Sequence, residues 1–115
     1  MNDDIFERLA RSPFRSRFKL SAKDKAYIAA KGLSVIRTHA EDFIASRLGP
    51  ANIPNDGKQT PMRNHPVFVA QHATGCCCRQ CLQKWHHIPA GAELTAKQQT
   101  YITNLLMCWI EKQLG

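Results

Sequence analysis

The side chains with the clearest capacity for chemistry lie in one short stretch, residues 65–87. Four of the five cysteines of the chain and four of its five histidines fall there. Thiolate sulfur and imidazole nitrogen are the usual ligands of zinc in proteins. An iron–sulfur cluster is disfavoured, because histidines are as plentiful as thiols here and the thiols are more tightly spaced than in the usual cluster patterns. The stretch therefore predicts a zinc site.

The spacing of the thiols indicates how such a site would form. From Cys77 onward the pattern is helical, and at about 100° per residue the next two thiols share a sector with it. Two sulfurs on one zinc ion lie within about 4 Å of each other, which residues three or four apart on a helix can achieve. The predicted metal ligands are, in order, Cys78, Cys81, His72, and then His86 and Cys77. His86 can join them only if the helix unwinds before Pro89.

Two other interpretations of the same thiols stay open. Thiols at the start of a helix are acidified by the backbone amides there and, in this sequence, by Arg79. Cys77 or Cys78 could therefore be a redox or nucleophilic cysteine, with His72 or His86 as its base. Alternatively, the cysteines are small buried hydrophobes that line the core and have no reactivity.

A long irregular loop precedes the cysteines. Residues 49–64 contain three prolines and an Asn-Asp-Gly turn, which is typical of a loop rather than a helix or strand. A loop of this length in a small domain is often a functional lid. The candidate residues for contact with an anionic ligand are Lys58, Gln59, Arg63 and, just after the loop, His65.

Helices are expected to position these groups, and the fold class predicted is mainly α. Ser21 and Thr95 each begin a capping box, in which a side chain three residues later reaches back to the cap. The helix after Ser21 should end at Gly32. Further helices are predicted around residues 5–11, at 34–48, and along the apolar face of 101–110. A short helix between Asn64 and Gly75 is only slightly favoured over a strand.

Residues 14–20 have a different pattern, in which aromatic and aliphatic side chains alternate with Arg15, Arg17 and Lys19. Such alternation predicts an extended segment with one dry face and one cationic face. One interpretation is an arm that follows nucleic-acid phosphates with aromatic rings between them. We favour the other, in which the aromatics pack on the core and the charges are solvated.

The chain has 115 residues and a net charge of +7. This length predicts one domain, residues 1–115, with a peripheral helix in 1–13, the loop at 49–64 and the cysteine and histidine segment at 65–89. The positive charge makes a nucleic acid or another polyanion a plausible partner. Without a secretory signal or a membrane helix, a cytoplasmic location is expected, where the cysteines stay reduced.

Several long strings in the sequence are distinctive: FRSRFKLS, HAEDFIASRL, NDGKQTPMRNHP, AQHATGCCCRQCLQKWHHIP and LTAKQQTYI. With these strings the chain resembles a family of small bacterial proteins described as a domain of unknown function, over most of residues 14–113. The resemblance implies a bacterial cytoplasmic protein and no particular activity. It also implies that Cys76 and His87 lie outside the shared pattern. The matching polar residues are His65, His72, Cys77, Cys78, Cys81 and His86.

The sequence therefore supports two hypotheses about function. The first is a zinc-stabilised binding module whose basic surface meets a nucleic acid or another polyanion. The second is a metal- or cysteine-dependent enzyme, hydrolase or nuclease-like, in which residues 55–65 close over the site. Four protein ligands on the metal would favour the first hypothesis, and three ligands with an open position would favour the second.

Overall fold

A computed structural model describes residues 3–115 and confirms the prediction of a mainly α fold. No strand occurs among these residues. The helices are α1 (Asp3–Ala10), α2 (Pro13–Ser16), α3 (Ala22–Lys31), α4 (Leu33–Arg47), α5 (Pro66–Thr74), α6 (Arg79–His86) and α7 (Ala96–Leu114). Residues 49–64 form the predicted irregular loop between α4 and α5.

Local capping explains where two of these helices begin. The Ser21 hydroxyl accepts a hydrogen bond from the backbone of Asp24, whose carboxylate accepts one from the Ser21 backbone. Thr95 and Gln98 form the same reciprocal pair before α7. Both capping boxes were predicted, and each satisfies two amide groups that the helix leaves without partners. α3 ends at Gly32, also as predicted.

The centre of the fold is α5, whose nine residues are all buried. A helix that is buried on every side must be surrounded by other parts of the chain. α7 packs against α5 and α4 and contributes fully buried side chains such as Leu105, Leu106 and Ile110. α1 also joins the core, because Ile5 and Leu9 are buried. The thiols, which directly follow α5, are thus held against the most enclosed part of the molecule.

The structure differs from the sequence prediction in two places that matter for the site. The first half of 14–20 is helical rather than extended, because Pro13 opens α2 and the Ser12 hydroxyl caps it. α5 is capped by His65 and not by Asn64. The His65 Nδ1 atom accepts a hydrogen bond from the Val67 amide, and Asn64 takes a left-handed conformation instead.

Gly75 ends α5 in a left-handed conformation, with a φ of 72°. A Cβ atom at this position would lie 2.6 Å from Cδ1 of Trp85. We expect Gly75→Ala to lower the free energy of unfolding by about 2 to 3 kcal/mol, because backbone strain and overpacking add. Urea unfolding measures this change. Gly57→Ala is a matched control, since its φ is also positive but no atom lies within 4 Å of the added carbon; an equal loss in both variants would contradict the Trp85 contact.

No helix among the described residues combines the length and the apolar character needed to cross a membrane.

Candidate metal centre

Three cysteines form a compact group at the start of α6. The sulfurs of Cys77, Cys78 and Cys81 all lie within 4.8 Å of one another. The Cys77 thiol donates a hydrogen bond to the Cys81 sulfur over 3.5 Å. Sulfurs on one tetrahedral zinc ion at 2.3 Å are separated by about 3.8 Å, so small shifts would allow all three to bind one ion. The sequence prediction that these thiols share one side of the chain is confirmed.

The beginning of α6 holds the three sulfurs together. Cys78 caps the helix, and its sulfur accepts a hydrogen bond from the Cys81 amide over 3.3 Å. The carboxylate of Asp56, from the long loop, accepts hydrogen bonds from the backbone amides of Arg79 and Gln80, the first two residues of α6. The helix thus starts two residues later than the pattern from Cys77 predicts, and Cys77 reaches the group from the preceding turn.

Arg15 contacts the cysteine group, which the sequence did not predict. Its guanidinium donates hydrogen bonds to the sulfurs of Cys77, over 3.4 Å, and Cys81, over 3.1 Å. A third bond goes to the backbone carbonyl of His72. The sequence interpretation placed this side chain in solvent, whereas it is buried. Nothing in the alternating pattern distinguishes it from Arg17, because the contact joins residues more than 60 positions apart.

The expectation that Arg79 acidifies the thiols is wrong, because its guanidinium is engaged elsewhere. Its guanidinium donates to four backbone carbonyls, those of Leu48, Pro50, Pro89 and Ala92, at 2.7 to 3.0 Å. Arg79 is 3% exposed. It therefore ties the loop after α4 to the loop before α7, and the positive charge beside the sulfurs comes from Arg15.

The three thiols do not ionise alike. Hydrogen bonds from Cys77 and Cys78, and a further one from Arg15, hold the pKa of the Cys81 thiol far below its ordinary value, although burial opposes them. The pKa of the Cys78 thiol is raised by its hydrogen bonds with Cys77 and Cys81 and by burial. Cys81, which accepts hydrogen bonds from Cys77 and Arg15, is therefore the thiol of the group that ionises most readily, and a thiolate is the form that binds a metal or attacks an electrophile.

His72 does not join the three sulfurs. Its Nε2–H lies 3.1 Å from the carbonyl oxygens of both Thr60 and Pro61. Its ring stacks on Phe18 with 5.5 Å between the ring centres. The Nε2 atom is thus used to hold the long loop, and neither ring nitrogen lies within 4.8 Å of all three sulfurs. The Thr60 hydroxyl donates to the Cys77 carbonyl, so this loop lies directly beside the cysteines.

His86 is also separate from the sulfur group, because α6 continues through it without unwinding. Its Nε2 lies 2.7 Å from the Thr74 carbonyl, and its Nδ1 lies 2.9 Å from the Tyr101 hydroxyl. The Cys76 sulfur is 3.5 Å from the same Nε2. Burial raises the pKa of the Cys76 thiol to about 12. Cys76 is thus a neutral core residue, and it lies outside the metal-ligand group, in agreement with the family resemblance.

The four candidates for an anionic ligand are dispersed. Lys58 and Gln59 line a cavity of about 380 Å³ beside the end of α4. Gln59 also braces the loop, since its side chain bonds to the Gly57 amide and the Asp56 carboxylate. Arg63 lines a different cavity. His65 is engaged as the cap of α5, so these residues form no single site.

His65 lies in a ring of aromatic side chains. Its Nδ1 accepts from the Val67 amide, so the neutral ring carries its proton on Nε2 and donates to Nδ1 of His39 over 3.0 Å. The rings of Tyr27, Phe43 and Phe68 surround it. Burial, followed by the nearby His39, lowers the pKa of His65 to about 4, although Asp24 opposes this shift.

This lowered pKa predicts a loss of stability in acid. Between the unfolded value of about 6.5 and the folded value of about 4, the unfolded chain binds a proton at His65 that the native chain does not, so stability falls as the pH falls through this range. After discounting for solvent at this half-buried ring, we expect about 1 to 2 kcal/mol. His65→Asn keeps a capping acceptor without a titratable ring. Urea unfolding from pH 7 to 4 should show a shallower slope for this variant; identical slopes would contradict the assignment.

The chain was compared with known families and structures. No solved structure matches it. The model of the family described as "Domain of unknown function (DUF4186)" matches residues 3–111. That match includes the three cysteines, Arg15 and Arg79, and it confirms the resemblance to a family of unknown function. With nearly its whole length covered, the chain belongs to the DUF4186 family.

Proposed function

We propose that this protein binds one zinc ion through the thiolates of Cys77, Cys78 and Cys81. The observation that supports this most directly is the separation of the three sulfurs, all within 4.8 Å. Among the described residues no histidine, aspartate or glutamate ligand atom joins them. The fourth position of a tetrahedral ion would therefore be taken by water or by an external ligand.

Charge balance supports the same assignment. Three thiolates on a divalent ion leave one net negative charge, which is costly to bury without compensation. Arg15 supplies the compensating charge, and N–H···S bonds of this kind can persist while the sulfurs bind a metal. The pKa of Arg15 is raised despite its burial, because Cys77 and Cys81 both favour the charged form. Arg15 would thus orient two of the ligands and lower their basicity.

The number of protein ligands, three, favours an enzyme by itself. The anchoring of the long loop and the net charge favour the function that we propose for the whole molecule, a metal-stabilised binding module for nucleic acid or another polyanion. The metal would fix the turn between α5 and α6, on which the loop at 49–64 also rests. The net charge of +7 favours an anionic partner. Reduced thiols require a reducing compartment, so we propose a cytoplasmic location.

Elemental analysis tests the metal assignment directly. The protein is purified without added metal, then saturated with zinc and desalted to remove unbound ions. It should then contain about one zinc ion per chain. Cobalt substitution should give the visible absorption of a thiolate-bound tetrahedral ion. Cys81→Ser should abolish both signals, whereas Cys108→Ser, which changes a thiol on α7, should leave them intact. Less than about 0.2 ion per chain at saturation would contradict the proposal.

An enzyme is the second candidate, and two observations favour it. The three-sulfur group leaves a fourth metal position for a substrate or water. The long loop contacts the group through Thr60, as a lid would. In a metal-free version Cys81, with its lowered pKa, would be the nucleophile rather than Cys77.

Thiol alkylation distinguishes a metal site from a metal-free site with a reactive cysteine. With zinc present, a metal site should protect all three cysteines of the group from iodoacetamide. If instead Cys81 alone reacts quickly whether or not zinc is added, the reactive-thiol interpretation holds. Mass spectrometry of the digested protein identifies the modified residue.

A further inference from the structure

A cavity of about 620 Å³ lies between residues 17–27 and residues 62–69. Small-molecule sites in proteins have volumes of about 300 to 1,000 Å³, so this one is large enough for an organic ligand. None of the cysteines lines it. It is therefore a feature separate from the candidate metal centre, and we refer to it as the basic cleft.

The rim of the basic cleft is cationic. Arg17, Lys19, Lys23 and Arg63 line it together with a single carboxylate, that of Asp24. All four cations are exposed, and none is ion-paired with a carboxylate among residues 3–115. Asp24 is engaged in capping α3. Arg17 also lies over the ring of Phe18, 5.4 Å from its centre. Four cations without carboxylate partners around one cavity favour an anion, and phosphate in particular suits Arg and Lys.

The interior of the basic cleft is apolar and aromatic. Phe18 and Tyr27, both half-buried, line it beside the buried side chains of Pro66 and Val69. Each ring is supported by a neighbour. Phe18 stacks on His72, and Tyr27 meets the edge of the His65 ring at 5.3 Å. Rings fixed in this way lose little freedom when a planar ligand packs on them.

We propose that the basic cleft binds a nucleotide unit, with an unstacked base against Tyr27 and its phosphates on the surrounding cations. Aromatic rings beside a cationic groove are the combination by which proteins hold single-stranded nucleic acid. A duplex does not fit this description, because its bases are stacked inside the helix. The inference rests on the nucleic-acid partner proposed above and specifies a single strand, although a free nucleotide has the same chemistry.

Fluorescence anisotropy tests the role of the rim. The probe is a labelled single strand of about 12 nucleotides, within the range of sites that such proteins cover. Reversing two rim charges, in Lys23→Glu with Arg63→Glu, should weaken binding at least about tenfold at low salt. The matched control is Lys97→Glu with Lys112→Glu on α7, which makes the same change in net charge and should cost at most about threefold. Equal losses in the two double variants would overturn the inference.

Tyr27→Leu tests the stacking contact. This variant keeps an apolar side chain against His65 and removes the aromatic face, so we expect about fivefold or greater weakening with no change in salt dependence. Melting temperatures of all variants should be measured first, to show that the fold is retained. An affinity equal to that of the wild type would overturn the proposed position of the base.

Competition experiments distinguish the possible sources of the ligand. If adenosine monophosphate binds as tightly as the labelled strand and the rim variant binds neither, a single nucleotide accounts for all of the binding. The cleft then still holds a nucleotide unit, but the polyanion function and the specification of a single strand fail. If only longer single strands compete, the inference about the cleft and the polyanion function both hold. If duplex competes as well as the single strand and the rim variant binds both normally, the inference fails while the polyanion function stands. If neither the nucleotide, the single strand nor the duplex binds in a salt-dependent manner, the inference and the polyanion function both fail.

Discussion

Replacing Cys81 with serine is expected to remove both the metal and much of the stability of the protein. Metal binding to a folded site adds directly to the free energy of folding, and in a domain of 115 residues this contribution is a large part of the total. We expect the zinc-loaded wild type to exceed Cys81→Ser by at least about 3 kcal/mol in the free energy of unfolding. Urea unfolding at a fixed free zinc concentration measures the difference.

Two controls make this result specific to the metal. Cys108→Ser alters a half-buried thiol on α7 and should cost about 1 kcal/mol or less. With a chelator present, most of the difference between the wild type and Cys81→Ser should disappear, because both then lack the ion and only the bond from Arg15 to Cys81 distinguishes them. A wild type whose unfolding is unaffected by the chelator would contradict a stabilising metal.

Arg79→Ala is expected to have a similarly large effect for a different reason. The substitution leaves four carbonyl oxygens without their shared charged donor, at 2.7 to 3.0 Å in the wild type. Hydrogen bonds to a charged group contribute more than neutral ones, and buried acceptors without partners are costly. We expect a loss of about 3 to 5 kcal/mol in the free energy of unfolding. Thermal and urea unfolding should both report it.

Arg79→Lys separates the shape of the side chain from its charge. A lysine ammonium lacks the planar fork that reaches carbonyls on two sides, so it should recover less than half of the loss. Arg37→Ala is the surface control, because this side chain makes one exposed hydrogen bond, to Asn104, and should cost about 0.5 kcal/mol. If Arg79→Ala costs no more than Arg37→Ala, the two loops do not depend on this guanidinium.

Features that depend on neighbouring residues could be predicted from the sequence. Both capping boxes and the end of α3 at Gly32 involve residues within four positions of one another. The same holds for the three sulfurs, because Cys77, Cys78 and Cys81 span five positions. Such residues lie close together whatever the exact start of the helix, so the grouping of the sulfurs was predicted although the helix begins only at Arg79.

Features that depend on distant residues could not be predicted in this way. Arg15 and Arg79 each meet partners 10 to 66 positions away, and a basic side chain is solvated by default. His72 was assigned to the metal by its residue type and proximity, yet its Nε2–H points at the carbonyls of Thr60 and Pro61. Which atom a histidine uses depends on the loop packed against it, and the order of residues does not reveal that packing.

The bond between Arg15 and Cys81 has a consequence for how the chain is made. The two residues are separated by 66 positions, and a ribosome releases them in that order. The guanidinium of Arg15 leaves the exit tunnel long before the sulfurs that will surround it. During most of translation it therefore lacks the thiolate partners that it has in the folded protein. Closing so long a loop is entropically unfavourable. The guanidinium therefore acquires its sulfur partners late, after most of the polypeptide has emerged.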